Sequence, residues 1–158
     1  MMQSSTGAET PARTQVAKRT KLIAGATALV CIFSATRAYA TCVHSSDPWA
    51  VVHAQDKAYN AHDVDAFAEC YADDIVISNL AGTKRFVGIS ALKKRYAFLK
   101  TAPRHFHTIF AKTIVAGPIV VVLERAIDPP KKNWPKESIA IFEVRKGRVA
   151  HVWFAPHK

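Results

Sequence analysis

The 158-residue sequence has no internal repeat, no low-complexity tract, no glycine-rich phosphate-binding loop and no serine or cysteine nucleophile motif. Those absences remove repeat arrays, phosphate-cradling folds and acyl-enzyme hydrolysis from the functions to be considered. Cysteine is scarce, with three in the chain. No apolar stretch reaches the ~20 residues needed to cross a bilayer, since the uncharged run from Leu22 to Thr36 is about 15 residues long and Arg37 closes it. The basic residues are scattered over helix, loop and hairpin rather than interleaved with aromatics, so nucleic acid is not an expected partner.

What is present points to one domain. A hydrophobic content of 49% over 158 residues supplies a core and leaves no room for a second. The formal charge of +10 is unevenly placed: five of the 22 basic residues (Arg13, Lys18, Arg19, Lys21, Arg37) and one acid (Glu9) precede residue 41. Beyond it stand 17 basic against 11 acidic residues, a net +6.

The N-terminal segment accounts for the asymmetry. A polar tail ends in Lys18-Arg19-Thr20-Lys21, the uncharged run follows, and Ala38-Tyr39-Ala40 places small residues where a signal peptidase reads. Residues 1–40 are therefore expected to be a secretory signal peptide cleaved after Ala40, giving a periplasmic or secreted protein with no membrane attachment after cleavage. Thr41 before Cys42 does not make a lipobox, and Lys18-Arg19 is not a twin arginine. Cleavage removes Cys31 and leaves Cys42 and Cys70, which could close a disulfide in an oxidising compartment. Cys70 follows Phe67 by three residues on an apolar helix face, and the preferred expectation is a buried thiol.

The expected organisation is a short tail over 41–46, a domain over 47–155 and a tail over 156–158. Asp47 is an N-cap with Pro48 at the first helical position, and Val51, Ala54, Gln55, Ala58 and Tyr59 share a helix face, so Gln55 points at the core. A second helix, capped by Asp63, is expected to bury Phe67, Cys70 and Tyr71 and to run out at Asp73-Asp74. Ile75, Ile77 and Asn79 then share one face of a strand. Phe86-Val87 forms a short strand, Gly88 breaks it, and Ser90 is expected to cap a third helix burying Leu92, Tyr96 and Leu99, with Lys93-Lys94-Arg95 on its solvent side. Beyond Pro103 the chain is strand: His105 to Val115, Ile119 to Ile127, Glu137 to Arg145 and Arg148 to Ala155.

For the last hairpin, a three-residue loop Arg145-Lys146-Gly147 sets Ala140, Phe142, Val144, Ala150, Val152 and Phe154 on one wholly apolar face. The other face then carries Ile139, Ile141, Val149 and Trp153 beside Glu143 and His151, and is expected to be a homodimer interface.

Helices followed by a long meander make an α+β plan: a cone in which a strongly curved antiparallel sheet wraps around three N-terminal helices. From about Asp47 to Phe154 the chain resembles the nuclear transport factor 2-like superfamily, in particular its SnoaL-like and ketosteroid isomerase-like branch, through AYNAHDVDAF, CYADDIVI, FVGISAL and EVRKGRVAHVWF in order and spacing. The resemblance implies a conical pocket and often a homodimer. In the isomerase branch a first-helix tyrosine and a neutral aspartic acid hold the developing enolate oxygen while a second carboxylate shuttles the proton. Motif spacing puts the base position at Asn79, the tyrosine position at Gln55 and the neutral acid near Ala140, so all three depart from the isomerase pattern.

The expectation from these residues is a pocket for a small apolar or amphipathic molecule, without cofactor or metal and without ketosteroid isomerase chemistry. Its candidate ligand-binding residues are Gln55, Tyr59, Tyr71, Asn79, Ala140, Phe142, Val152 and Phe154. The alternatives are an isomerase, hydratase or cyclase using Glu124 or His107 as base, and a protein association module. Glu124 is embedded in the apolar strand Val120-Val121-Val122-Leu123-Glu124; a cross-strand ion pair with a basic neighbour is the preferred expectation for it, and a pocket base with a raised pKa the alternative. His105 and His107 share a strand face but have no carboxylate or cysteine at metal-ligand spacing.

Overall fold

A computed structural model describes residues 42–155. The expected signal peptide and the C-terminal tail lie outside the described residues. The domain is α+β, with helices α1 (Pro48–Asn60), α2 (Val64–Glu69) and α3 (Ile89–Tyr96) and strands β1 (Tyr71–Asn79), β2 (Lys84–Val87), β3 (His107–Ala116), β4 (Ile119–Ile127), β5 (Glu137–Arg145) and β6 (Arg148–Phe154). A 3₁₀ turn, Ala97–Thr101, continues α3.

Local chemistry sets the helix starts. The Asp47 carboxylate accepts from the Trp49 N–H at 3.0 Å with Pro48 beside it, and the Asp63 carboxylate accepts from the N–H groups of Asp65 and Ala66 at 3.1 and 3.0 Å. α2 is shorter than its apolar pattern implied: it ends at Glu69, and Tyr71, Ile75 and Ile77 are buried as strand residues of β1. The β-branched run Ile75-Val76-Ile77 favours the pleated surface, and the sheet claims the chain two residues before Asp73. α3 takes no side-chain cap; Gly88, at φ 88°, precedes it, and Ser90 lies inside the helix.

The six strands form one curved, open sheet in the order β2-β1-β6-β5-β4-β3. It is antiparallel except between β1 and β6, which run parallel, so the first strand closes against the last and the meander folds back over the helices. The core lies between α1, through Val51, Val52, Ala54 and Ala58, and the inward residues of β4, β5 and β6, including Val122, Phe142 and Val152.

The hairpin β5–β6 departs from the expected loop. Arg145 pairs with Arg148, so the turn is the two residues Lys146-Gly147, both at positive φ (50° and 71°), as a type I′ turn requires. A bulge at Ala150 then sets Phe142 opposite Val152 and Ala140 opposite Phe154, two residues on from the pairing a three-residue loop would give but on the same face. The apolar face is thus as expected beyond the bulge, but Val149 moves from the outer face into the core, where it is fully buried. Gly147 is required for a second reason, since a Cβ there would come within 3.3 Å of the Ser45 backbone nitrogen.

Ser45 is held close because Cys42 and Cys70 form a disulfide, contrary to the buried thiol expected for Cys70. The apolar spacing that hid Cys70 is real, for it is fully buried at the end of α2, but the N-terminal tail passes beside it with the two Cα atoms 5.0 Å apart. Closing a loop with a sequence separation of 28 is worth about 3 to 4 kcal/mol in the chain-entropy account.

Candidate functional site

Along β4 the inward residues are Val120, Val122, Glu124 and Ala126, by the period of two. The first two are closed over by the core; the last two face a cavity of about 560 Å³ that lies between the sheet and the C-terminal part of α1. Aromatic rings hold it open. Tyr59 packs edge-on against Phe67, Tyr96 and Phe106, and Phe98 and Phe106 pack against Trp134 from the loop before β5. Such rings are too stiff to collapse inward and leave the space between them unfilled.

Glu124 is the chemical centre of this cavity. Its neighbours across the strands are Phe110 and Ser138, so no basic residue stands opposite it and the expected cross-strand ion pair does not form. The Ser138 hydroxyl donates to its Oε2 at 3.1 Å. Part of its surface is accessible, but that surface is cavity wall, and enclosure by protein raises its pKa from the ordinary 4.5 to about 7, against the opposing pull of the Ser138 hydrogen bond. A carboxyl with such a value can both take and return a proton near neutrality.

Around it are hydroxyls and a second acid. The Tyr71 hydroxyl donates to Gln55 Oε1 at 2.9 Å, both side chains buried. Burial raises the pKa of Tyr59 and Tyr71 well above the ordinary value and that of Tyr96 to about 12, so all three phenols stay neutral donors. Asp56, one residue after Gln55, also lines the cavity; burial raises its pKa, partly offset by the Thr108 hydroxyl, which donates to its Oδ1 at 3.0 Å. Thr108 is fixed in turn by Asn60, whose side chain accepts from its N–H at 2.8 Å and donates to its carbonyl at 2.9 Å. That pair of bonds pins the end of α1 to β3.

The cavity brings together Gln55, Tyr59, Tyr71, Phe142, Val152, Phe154 and Glu124 from the sequence-derived candidates. Asn79 and Ala140 do not line it. Ala140 is fully buried in the core, and Asn79 sits at the end of β1 with its Oδ1 buried and without a hydrogen-bond partner among the described residues. His107 is also outside: its Nδ1 lies 2.9 Å from the His105 carbonyl oxygen at the start of β3. Among the described residues no group of three His, Cys, Asp or Glu is close enough to hold a metal ion.

Sequence reading missed Asp56, Arg85, Arg95, Thr108, Trp134 and Ser138 as lining residues. Asp56 was discoverable, because a helix face that presents Gln55 and Tyr59 to a cavity also sweeps past the residue between them. Arg95 was placed with the solvated cluster; Lys93 does pair outward with Asp65 at 2.8 Å, but Arg95 turns to the cavity. Trp134 arrives on an irregular loop and leaves no periodic signal.

The SnoaL-like domain profile matches residues 51–152. No curated protein matches this sequence. Among solved structures, a cystatin-fold protein from Novosphingobium aromaticivorans is similar at 21% identity and TM-score 0.59, the match covering 70% of this chain and 98% of that one. The epoxide hydrolase/cyclase-like enzyme SalBIII, which has a role in pyran ring formation in the polyether salinomycin, matches at 17% identity and TM-score 0.57 over 68% of this chain and 88% of its own. A nuclear transport factor 2-like protein from Burkholderia xenovorans matches at 19% and 0.55 over 70% and 85%. At these identities the likeness speaks for the fold.

The buried carboxyl makes a prediction about stability. Glu124 holds its proton more tightly folded than unfolded, so its contribution is fully present below pH 4.5 and is lost as pH rises through about 7. Relative to Glu124→Gln, the wild type should lose on the order of 3 kcal/mol of unfolding free energy between pH 4 and pH 8, measured by urea denaturation. Parallel pH profiles for the two proteins would show that the carboxyl titrates as an ordinary one.

Proposed function

The chain belongs to the SnoaL-like domain family, and we propose that its cavity binds a small amphipathic molecule and moves a proton on it, with Glu124 as acid–base. The observation that carries this reading is a carboxyl with no cationic partner among the described residues, enclosed in a cavity among neutral phenols with its pKa raised to about 7. In the step envisaged, the Glu124 carboxylate takes a proton from a carbon next to a carbonyl, the phenol of Tyr59 or Tyr96 donates a hydrogen bond to the developing oxyanion, and the proton returns to another atom of the same molecule. Isomerisation and ring closure are both of this form.

Steroid isomerisation by the isomerase branch's own residues is not part of the proposal. Asn79 has no basic group and does not line the cavity, Gln55 offers an amide where that branch has a more acidic phenol, its Oε1 accepting from the Tyr71 hydroxyl, and Ala140 has no proton to donate. His107, outside the cavity, is not assigned a role. The open interior favours a ligand-binding domain over one that serves only protein association.

Two further parts of the reading concern where and in what form the protein works. Residues 1–40 read as a signal peptide, and the Cys42–Cys70 disulfide supports an oxidising, extracytoplasmic location; a mature protein beginning at Met1 in the cytoplasm would contradict it. The outer sheet face supports a homodimer. Ile114, Val121, Ile141 and Trp153 follow one another across β3, β4, β5 and β6 in a single row, with Ile139 43% exposed beside it.

For the chemistry, the expected outcome is solvent deuterium exchange into carbon acids from a panel of β,γ-unsaturated cyclic ketones and 1,3-diketones, followed by proton NMR. Glu124→Gln should slow exchange by about 10²-fold or more while ligand binding persists, with the wild-type rate rising toward a plateau above pH 7. Exchange that survives this substitution would remove Glu124 from the mechanism; binding without exchange would leave a ligand-binding domain. For the dimer, Trp153→Glu should sediment as a monomer, since each large apolar side chain withdrawn from water contributes roughly 1.5 to 3 kcal/mol. A wild type that is monomeric at high concentration would refute the interface.

A further inference from the structure

The polar groups that line the cavity are segregated by charge. Glu124 and Asp56 stand on β4 and α1, against the inner wall. Arg85 and Arg95 line the same cavity from β2 and α3, two elements packed on each other, and both side chains are also exposed to solvent, which puts them at its mouth. The Arg85 guanidinium carbon lies 5.5 Å from the centroid of the Phe154 ring, itself cavity wall, so this side chain is folded along the opening. The charge of Arg95 is felt by the phenols of Tyr59 and Tyr96, and that of Arg85 by Tyr96.

Among the described residues neither arginine has an acid partner. The ion pairs among the described residues use Lys93, Arg125, Arg145 and Arg148. The two carboxyls inside the cavity are engaged by the hydroxyls of Thr108 and Ser138. Two guanidiniums, each a planar fork of five N–H donors, are thus presented at one opening without a carboxylate partner among the described residues. Much of the remaining wall is aromatic, with Phe67, Tyr96, Phe98, Trp134 and Phe142.

We propose that the natural ligand is an organic carboxylate with a ring-containing apolar body, its carboxylate held at the mouth by Arg85 and Arg95 and its reactive end directed at Glu124. This rests on the reading that the cavity takes a small molecule, and it names the class of molecule and its orientation. Entry in the opposite sense would set the carboxylate beside Asp56 and Glu124 and leave both arginines unused. A cationic mouth also draws an anion in, so the association is sensitive to salt.

The test compares naphthalene-1-acetate with its uncharged methyl ester by isothermal titration calorimetry. The wild type should bind the carboxylate about tenfold more tightly than the ester at low salt, a preference that shrinks at 0.5 M sodium chloride. Arg85→Gln with Arg95→Gln should bring the two ligands within about twofold of each other, the larger loss falling on the carboxylate; both positions are exposed, and an unaltered melting temperature checks the fold. Arg85→Lys with Arg95→Lys keeps the charge, loses the fork and should retain part of the preference. Equal affinity for acid and ester in the wild type, or a preference that persists in the double glutamine variant, would overturn the inference while the cavity stands as a binding site. If neither compound binds, the small-molecule reading fails and this inference fails with it.

Discussion

A carboxyl enclosed without a counter-ion is the constraint around which this domain is organised. Glu124 occupies an inward position on β4 that continues the series Val120 and Val122, and an apolar side chain there would extend the core at no electrostatic cost. The acid is tolerated because the space in front of it is open and because one serine hydroxyl reaches it. It is not neutralised by a cation, although the chain carries a large excess of basic residues. The arginines that line the cavity are placed at its mouth instead. This separation keeps the pKa of Glu124 near neutrality; an arginine in contact would hold it as a permanent carboxylate.

The surrounding architecture serves to maintain that enclosure. The core fills one part of the space between α1 and the sheet, the cavity the other, and the boundary falls along α1 where Val51, Val52 and Ala54 give way to Gln55, Asp56 and Tyr59. Asn60 clamps Thr108 by two backbone bonds, and Tyr71 is tied to Gln55, so the polar lining is positioned by hydrogen bonds that are internal to the protein. Tilted and edge-on rings from α1, α2, α3, the 3₁₀ turn and the loop before β5 brace the cavity. The parallel pairing of β1 with β6 holds the first and last strands together, and the disulfide ties the N-terminal tail to the end of α2.

Much of the fold was legible because its signals are local. Asp47-Pro48 and Asp63 cap helices as their chemistry demands, and four long strands alternate with turn residues between them. Three features were not legible, each for a physical reason. The end of α2 is decided by sheet pairing, which overrides a helical apolar spacing that Tyr71 happens to continue. The disulfide depends on where an irregular tail passes. The hairpin uses a two-residue turn plus a bulge, a combination that keeps Phe142 and Val152 on the face a three-residue loop would give them, shifts their pairing by two residues and turns Val149 inward. The site divides in the same way. Glu124 could be placed inward by parity with Val122, and Gln55 and Tyr59 by helical spacing. The ion-pair alternative for Glu124 could be discarded only once Phe110 and Ser138 were known to be its neighbours. Arg85, Arg95 and Trp134 reach the cavity through tertiary geometry alone.

The central claim is that Glu124 exchanges a proton near neutral pH inside the cavity. It is tested most directly by a carbon-13 NMR titration of the glutamate side-chain carboxyls, with Glu124 assigned by its disappearance in Glu124→Gln. The account predicts a carboxyl resonance that titrates with a midpoint near 7. A midpoint near 4.5, the value of an ordinary glutamate, would contradict it.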